Sequence, residues 1–394
     1  MPHDPPPSLP SPDALSAAHS EQVAAFIREQ IATAGGSISF AEFMQHALYA
    51  PGLGYYAAGT TKFGEAGDFI TAPEVSSVFG GVVARQCAEV LGQLGGGELV
   101  EYGAGSGRLA ADVLSTLQRL DALPAAYNIL EVSADLRERQ EVCLRERVPD
   151  LMGLITWLNA PPASMRGVIL ANEVLDALPV ERFVRRGKDV MQQRVTACDQ
   201  GFEMVESDAP ARLKRRVETI ESELRESLPD GYASEVCLAV PGWVAGLSSV
   251  LDEGVAFLFD YGVSRREYYA AERSDGWLRC HFRHHAHNAP LMLPGIQDLT
   301  AWVDFTAVAE AALAAKFEIA GYSAQAQFLI AGGLDAEIRG FEELSLEEQL
   351  ELSGQVKTLT LPGEMGEHFK CMALRKGAVE APSGFSLADR THTL

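Results

Sequence analysis

A glycine-rich motif preceded by one acidic residue is the part of this sequence whose residue types and spacing best fit chemistry. The apolar run that begins at Leu99 ends in Glu101, and Gly103, Gly105 and Gly107 follow at alternate positions before a leucine-rich helical pattern. A glycine turn between a strand and a helix lets a ligand lie against the backbone, and the first amides of the helix offer hydrogen-bond donors. The motif therefore predicts a small-molecule site.

The spacing and the charge favour a cationic ligand over a dinucleotide. The dinucleotide fingerprint is GxGxxG, whereas this motif is GxGxG with a carboxylate two residues before its first glycine. A carboxylate there repels a pyrophosphate but attracts the ammonium and sulfonium of S-adenosylmethionine (SAM). Glu131 ends the next predicted strand, where it can accept hydrogen bonds from both ribose hydroxyls. NAD sites use a similar acid, so Glu131 alone does not separate the two cofactors.

Alternating short strands and amphipathic helices must position these residues. Strands are predicted at 99–102, 127–132, 155–158, 167–172 and 255–261, and helices at 107–120 and 134–145. Closing antiparallel strands are predicted at 317–325 and 368–376. This alternation predicts an α/β fold, an open doubly wound and mostly parallel sheet with helices on both faces.

Further elements precede and interrupt this pattern. Helices are predicted at 21–34, 40–48 and 72–91, the last beginning with a proline in its first turn. An insertion at about 174–254 contains a predicted strand pair around 193–205 and a charged helix at 212–228. A second insertion at 265–305 shows little periodicity. We expect these insertions to cap the carboxyl edge of the sheet.

The composition excludes several classes of protein. The chain has 32 basic and 54 acidic residues, a net charge of −22, which argues against nucleic acid and favours a small or basic partner. Its six cysteines form no CxxC pair, which argues against a zinc knuckle or a disulfide framework and favours a cytoplasmic location. No apolar run reaches ~18 residues, so no membrane insertion is expected, and the proline-rich, acidic start is unlike a signal peptide.

Several motifs together resemble one family. They are GYY at 54–56, GDFITAPEVSSVFG at 67–80, EYGAGSG at 101–107, ILEVSADLRERQ at 129–140, ANEVLDALPVERF at 171–183, FDYG at 259–262, PGIQDLTAWVDF at 294–305 and MGEHFKCMAL at 365–374. On these motifs the chain, from about residue 38 to 376, resembles the SAM-dependent methyltransferases of the MidA type. That family includes the mitochondrial complex I assembly-factor methyltransferase and bacterial homologues.

The resemblance implies a class I methyltransferase with a seven-stranded Rossmann-like sheet and SAM as cofactor. For the mitochondrial member it also implies methylation of an arginine on a respiratory complex I subunit. We therefore expect a protein substrate; the identity of the acceptor and a homodimer remain open. Two features depart from the family: Trp277 stands where relatives tend to have threonine, and residues 278–291 are rich in histidine.

This reading divides the chain into four segments. We expect a disordered lead-in at 1–20, an N-terminal helical region with a cofactor-covering loop at 21–95, the methyltransferase domain with its two insertions at 96–376, and a flexible tail at 377–394. The expected cofactor-binding residues are Gly67, Asp68, Thr71, Pro73, Glu74, Glu101, Gly103, Ala104, Gly105, Gly107, Glu131, Val132, Asn172 and Glu173. Those before residue 75 come from the resemblance, and Thr71 with Glu74 equally suits a helix capping box.

Two acids are the candidates for methyl transfer. Glu173 and Asp176 follow the fourth predicted strand, and the carboxyl ends of parallel strands line the ligand crevice. A guanidinium pairs well with carboxylates and must lose a proton around the transfer. We assign Glu173 to hold the guanidinium and Asp176 to assist or accept the proton. The structural alternatives are a helix cap at Asp176 and bonds from Glu173 to backbone amides.

The sequence leaves several other interpretations of its motifs and of its function open. His281, His284, His285 and His287 suggest a metal site, but the interleaved arginines would repel a cation, so we predict none. Asp298, Thr300 and Asp304 match a family motif, although Thr300 also suits helix initiation. The competing functions are a SAM-dependent methyltransferase of a small molecule, a SAM-binding assembly factor without turnover, and a nicotinamide-dependent oxidoreductase.

Overall fold

The computed structural model describes residues 9–58 and 71–394, and the chain folds into two compact units. The first unit comprises Met1–Phe69, Asp176–Val240 and Ser264–Asp304, and the second comprises Ile70–Leu175, Pro241–Val263 and Phe305–Leu394. The methyltransferase domain expected over 96–376, with its two insertions, stays a prediction, and the compact units divide that range at the insertions. Residues 176–240 and 264–304, which make up most of the two insertions, belong to one unit with the N-terminal helices, because they share its core.

A mostly parallel sheet forms the centre of the second unit. Its main path contains seven strands in the order Glu318–Ala324, Phe369–Lys376, Leu251–Val263, Met165–Asn172, Glu98–Tyr102, Tyr127–Leu130 and Ile155–Leu158. Of these, Phe369–Lys376 runs antiparallel to both neighbours, and the other paired strands on the path are parallel. The predicted α/β sheet, its strands and its closing antiparallel pair are confirmed.

Burial on both faces explains why these strands could be read from sequence. In the strand Met165–Asn172, residues 168–171 are all at most 2% exposed. A strand covered by helices on both sides appears as a continuous apolar run rather than an alternating one. The helices of this unit are Ala72–Val75, Ser77–Leu94, Arg108–Arg119, Ala134–Arg147, Val240–Val250, Phe305–Ala314, Gln325–Ala331, Leu334–Glu337, Leu346–Thr360 and Met365–His368.

The first unit is built around antiparallel sheets and two N-terminal helices. The helices Ala14–Thr33 and Phe40–Tyr49 accompany a sheet with strands Ile38–Ser39, Glu181–Arg186, Asp189–Cys198, Gly201–Asp208 and Ala233–Val236. The predicted strand pair around 193–205 is the hairpin within this sheet, and the predicted charged helix is Ala211–Leu224. The second insertion forms a three-stranded sheet, Leu278–Phe282, His285–His287 and Asp298–Ala301, which its weak periodicity did not predict.

Part of the expected disordered lead-in is ordered. The helix Ala14–Thr33 begins seven residues earlier than predicted, because the carboxylate of Asp13 accepts hydrogen bonds from the amides of Leu15 and Ser16 at 3.0 and 2.9 Å. Ser20 is buried and donates to the carbonyl of Pro294 at 3.0 Å. The expectation of disorder is therefore wrong for residues 14–20, and residues 1–8 lie outside the described part.

The expectation of a flexible tail at 377–394 is also wrong. Val379 and Phe385 are 2% and 5% exposed and pack in the core of the second unit. The amide of Gly384 donates to Oε1 of the buried Gln86 at 2.7 Å, and that of Ser383 donates to Glu89 at 2.9 Å. Two apolar anchors and satisfied backbone groups keep the tail in place. Among the described residues, no helix is long and apolar enough to cross a membrane.

Candidate functional site

The glycine motif forms a left-handed turn at the carboxyl end of the strand Glu98–Tyr102. Gly103, Gly105 and Gly107 have φ values of 67°, 54° and 88°, a region that favours glycine. Gly107 precedes the helix Arg108–Arg119, and its position provides no side-chain cap. The turn therefore exposes backbone that a side chain would otherwise cover, as the sequence predicted.

Gly107 also has a packing reason to be glycine. A Cβ atom built on it would lie 3.1 Å from the Cα of Gln140, which is tighter than ordinary contact. We expect Gly107→Ala to lower the free energy of unfolding by about 1–2 kcal/mol through left-handed strain and to weaken SAM binding roughly tenfold by displacing the turn. Thermal unfolding and calorimetric SAM titration measure the two effects.

The matched control is Gly95→Ala in the same unit. Gly95 has φ 69° but no atom within 4 Å of a built Cβ. That variant should show the strain in thermal unfolding with unchanged SAM affinity. Equal affinity loss in both variants would mean that general destabilisation, not the displaced turn, weakens binding.

Glu101 lies buried beside Tyr127. Glu101 is only 1% exposed, and the Tyr127 hydroxyl donates a hydrogen bond to its Oε2 at 2.7 Å. Burial raises the pKa of Glu101 to about 7, and the hydrogen bond from Tyr127 opposes part of that rise. A nearby cation would stabilise the ionised form, so this carboxyl is suited to a positively charged ligand.

The carboxylate of Glu131 is held by two donors in the same unit. Its Oε1 accepts from the amide of Ser133 at 2.8 Å, and its Oε2 accepts from Nε2 of Gln140 at 3.2 Å. Burial raises its pKa, while these hydrogen bonds oppose the rise. Val132, the next residue, is 80% exposed. Glu131 is thus an oriented acid at the end of its strand, as a ribose-binding residue requires.

Sequence reasoning missed Gln140 and Trp157. Gln140 is fully buried and donates to the carbonyl of Gly105 at 3.1 Å, while its Oε1 accepts from the indole Nε1 of Trp157 at 2.9 Å. A signal was present, because Gln140 lies four residues from both Leu136 and Leu144 and shares their buried stripe on the helix. A polar residue on such a stripe indicates a buried hydrogen-bond network.

Glu74 contacts the glycine turn. Its carboxylate accepts from the hydroxyl of Ser106 and from Nη1 of Arg108, the latter at 3.2 Å. Thr71 makes no side-chain cap, so the capping-box alternative is wrong. Ala104 and Pro73 are buried in the same unit. The predicted cofactor residues Gly67 and Asp68 lie outside the described residues.

Glu173 lies on a strained backbone at the carboxyl end of the strand Met165–Asn172. Its φ of 52° is unusual for a residue with a long side chain. Its amide donates to the carbonyl of Phe259 at 2.8 Å, and Nδ2 of Asn172 donates to its Oε1 at 3.1 Å. A Cβ built on Gly103 would contact Val174 at 3.6 Å, so this loop adjoins the glycine turn.

Asp176 belongs to the first unit, and Glu173 to the second. Asp176 is 3% exposed, and its carbonyl accepts from the amide of Ala301 at 2.9 Å. The next regular element is the strand Glu181–Arg186, so the alternative of a helix cap at Asp176 is wrong. The helix initiation considered at Thr300 is wrong as well, because Thr300 lies within the strand Asp298–Ala301.

Two tyrosines surround the backbone near Asp176. The Tyr49 hydroxyl donates to the carbonyl of Ala177 at 2.9 Å, the Tyr56 hydroxyl donates to Oδ1 of Asp298 at 2.8 Å, and the rings stack. Burial, with the charges of Asp176 and Asp298, raises the pKa of both tyrosines. Both therefore act as hydrogen-bond donors that hold this segment.

The histidine-rich segment is not arranged as a metal centre in the described residues, which contain no group of three or more candidate ligands. Burial, with the charges of His287 and Arg279, lowers the pKa of His281 to about 4. His281 is therefore neutral near pH 7.

The glycine turn at the end of one parallel strand and the oriented acid at the end of the next form the kind of site that binds a nucleoside-containing cofactor in an α/β sheet. A family model for S-adenosyl-L-methionine-dependent methyltransferases matches residues 82–323. The chain belongs to this family and uses SAM as its cofactor.

Relatives match nearly the whole chain. The protein arginine methyltransferase NDUFAF7 homolog, mitochondrial, of Drosophila melanogaster is 30% identical over 94% of this chain and 89% of its own. The mitochondrial NDUFAF7 of Danio rerio is 29% identical over 86% of this chain and 83% of its own. A crystal structure of a Burkholderia thailandensis protein bound to S-adenosyl-homocysteine is 37% identical, with a TM-score of 0.92, and covers 98% of this chain and 100% of that chain.

Proposed function

We propose that this enzyme is a protein arginine N-methyltransferase. The observation that carries the proposal is the similarity over 94% of the chain to a protein named as an arginine methyltransferase. The net charge of −22 supports it, because an acidic protein attracts an arginine-bearing segment. The two carboxylates that follow the strand Met165–Asn172 are chemically suited to a guanidinium.

The residues around the glycine turn fit SAM, and we propose that they hold it. The turn has an exposed residue at Gly103 and a partly exposed one at Gly105, and the buried Ala104 and Gly107 complete it. Glu101 would face the positively charged methionine part, and Glu131 would accept from the ribose hydroxyls. Glu74, which bonds Ser106 and Arg108, would hold the turn from outside.

We propose the remaining predicted cofactor residues from their positions next to these contacts in the chain. Thr71 and Pro73 begin the short helix that carries Glu74, and Val132 and Asn172 follow or end neighbouring strands. Gly67 and Asp68 are proposed from the family motif alone.

The bound cofactor supplies an electrophilic methyl group on a sulfonium, and the chain must present the acceptor nitrogen in line behind it. We propose that the carboxylate of Glu173 pairs with the guanidinium and orients it. Asp176 would assist or accept the proton that the guanidinium loses. A carbon–nitrogen bond then forms as the carbon–sulfur bond breaks, and S-adenosyl-homocysteine is the other product.

Labelled SAM in a lysate from cells that lack this protein tests the proposal. Addition of the purified enzyme should label a polypeptide band, and mass spectrometry of that band should find methylarginine. The Glu173→Gln variant should label nothing above background. Label only in a small-molecule fraction would favour the alternative acceptor, and no label with intact SAM binding would favour an assembly factor without turnover.

We also propose a cellular location and an acceptor for this enzyme. The six cysteines are free of disulfides, which supports a reducing, cytoplasmic location, although the named relatives are mitochondrial. We propose a protein acceptor, with a respiratory complex I subunit as the first to test because the family resemblance implies it. A homodimer stays a prediction for sedimentation analysis.

A further inference from the structure

Gln140 is a fully buried amide in the middle of the cofactor-binding unit. It lies on the helix Ala134–Arg147, on a stripe otherwise occupied by Leu136 and Leu144. A leucine there would extend the apolar stripe, whereas a buried amide costs free energy unless all of its hydrogen bonds are made. The contacts of Gln140 therefore indicate what it is for.

Three hydrogen bonds fix the orientation of this amide. Nε2 donates to the carbonyl of Gly105 at 3.1 Å and to Oε2 of Glu131 at 3.2 Å, and Oε1 accepts from Nε1 of Trp157 at 2.9 Å. An indole N–H can only donate, and a backbone carbonyl can only accept. The assignment of Nε2 and Oε1 is therefore the one that the surrounding groups require.

We propose that Gln140 is a positioning residue for SAM, which fixes the glycine turn and the ribose-binding carboxylate of Glu131 in one geometry. Through Nε2 it holds a backbone carbonyl inside the turn and one oxygen of Glu131, while the amide of Ser133 holds the other oxygen at 2.8 Å. A carboxylate has about four acceptor positions, so these donors orient Glu131 without filling it. The inference rests on the assignment of Glu131 to the ribose made above.

A second contact supports this role independently of the side chain. Gly107 packs against the backbone of Gln140, so closely that an added Cβ would lie 3.1 Å from the Gln140 Cα and 3.4 Å from its carbonyl oxygen. The turn thus rests on the helix at Gln140 through backbone packing as well as through the amide. Displacement of either partner would move the turn relative to Glu131.

Gln140→Met tests the proposal, because it removes the three hydrogen bonds at nearly constant volume. We expect the Kd for S-adenosyl-homocysteine and the KM for SAM to rise about 30-fold, with kcat at saturating SAM within about threefold. Isothermal titration and steady-state kinetics measure these values. A rise in KM without a fall in kcat is the expected signature of a residue that positions the cofactor and does not touch the reacting atoms.

Gln86→Met is the matched control. Gln86 is also fully buried in this unit, and its amide bonds Glu89, Gly332, Ser383 and Gly384, which are outside the proposed cofactor residues. It should lower the melting temperature about as much as Gln140→Met, yet leave the Kd for S-adenosyl-homocysteine within about twofold. Equal losses of affinity in both variants would overturn the proposal.

A double-mutant cycle that combines Gln140→Met with Glu131→Gln distinguishes a failure of the positioning role of Gln140 from a failure of the ribose assignment of Glu131. If Gln140 acts through Glu131, the double variant should lose clearly less affinity than the product of the two single losses. A full product would overturn the positioning role while leaving the ribose assignment intact. Unchanged affinity in Glu131→Gln would overturn both. Should Gln140→Met fold poorly, Trp157→Phe removes the N–H donor that orients the amide, together with part of the ring that packs against the core, and it should weaken S-adenosyl-homocysteine binding about threefold to fivefold. Unchanged binding in Trp157→Phe would count against the role.

Discussion

Glu173→Gln should lower kcat at least about a thousand-fold while the Kd for SAM changes by less than about threefold. Glutamine keeps the size and one acceptor oxygen, but it loses the charge that pairs with a guanidinium and the ability to form a charge-assisted bidentate contact. The loss falls on the acceptor step, because the charge of Glu173 is assigned to the guanidinium, whereas the carboxylates proposed to bind SAM through their charge or hydrogen bonds are those of Glu101 and Glu131. Single-turnover methyl transfer and calorimetric SAM titration measure the two quantities.

Backbone strain at Glu173 predicts that relieving the strain raises the stability of the protein even though methyl transfer is lost. A non-glycine residue at φ 52° costs about 1 kcal/mol, and such strain persists mainly where function requires the side chain. Glu173→Asn, which tolerates the left-handed region, should raise the free energy of unfolding by about 0.5–1 kcal/mol while methyl transfer is lost. Glu173→Gln keeps the strain and should leave stability within about 0.5 kcal/mol.

Asp121→Asn is the control for the strain argument. Asp121 has φ 53° and follows the helix Arg108–Arg119 on the surface of the same unit. Because aspartate already tolerates this region, its replacement should leave both stability and methyl transfer nearly unchanged. If Glu173→Asn destabilised the protein instead, the glutamate would be a structural residue and its proposed role in transfer would lose its support.

The strands of the second unit could be predicted from sequence, whereas the division into two units could not. Strands buried on both faces leave short apolar runs between helical patterns, and Ile155–Leu158 was predicted to the residue. The first unit combines three separate segments of the chain, and the burial of its strands ranges from complete, as in Ala233–Val236, to irregular, as in Asp189–Cys198. The hairpin of Asp189–Cys198 with Gly201–Asp208 is local and was predicted, whereas the pairing of Ile38–Ser39 with Asp189–Cys198 joins distant segments and leaves no local pattern.

The candidate site also contains residues that local sequence predicts and residues whose role depends on distant parts of the chain. Gly103, Gly105 and Gly107 were predicted because left-handed turns need glycine locally. Glu74 was predicted as a cofactor residue, with a local cap beside Thr71 as the equal alternative, but its partner Ser106 lies 32 residues away. The stripe with Leu136 and Leu144 indicated that Gln140 is buried, but it did not reveal the three partners, which lie 9, 17 and 35 residues away. Residues that act through long-range hydrogen bonds are the ones that sequence alone does not reveal.

SAM binding should strengthen from pH 5 to pH 7 and level off above that range, because of Glu101. Burial raises the pKa of this carboxyl to about 7, so it is largely neutral at pH 5 in the unliganded protein. If the ligand's positive charge binds only the ionised form, affinity falls about tenfold for each pH unit below 7, or up to about 100-fold at pH 5. Calorimetric titration at several pH values measures this profile.

The contribution of Glu101 to the stability of the unliganded protein should have the opposite pH dependence and decrease as pH rises. A carboxyl whose pKa in the folded state, about 7, exceeds its ordinary value binds its proton more tightly when folded. The stability that this gives is fully present below about pH 4.5 and is lost as pH rises through 7. Bound SAM should offset the loss by stabilising the ionised form.

Glu101→Gln separates this group from other titrating carboxyls. The variant should bind SAM about as weakly at pH 7.5 as the native protein does at pH 5, with little pH dependence between. Burial also raises the pKa of Glu131, so Glu131→Gln is the matched control: it should weaken binding but keep the slope that comes from Glu101. A flat native profile, or native affinity in Glu101→Gln, would mean that the buried carboxylate does not face the ligand's charge.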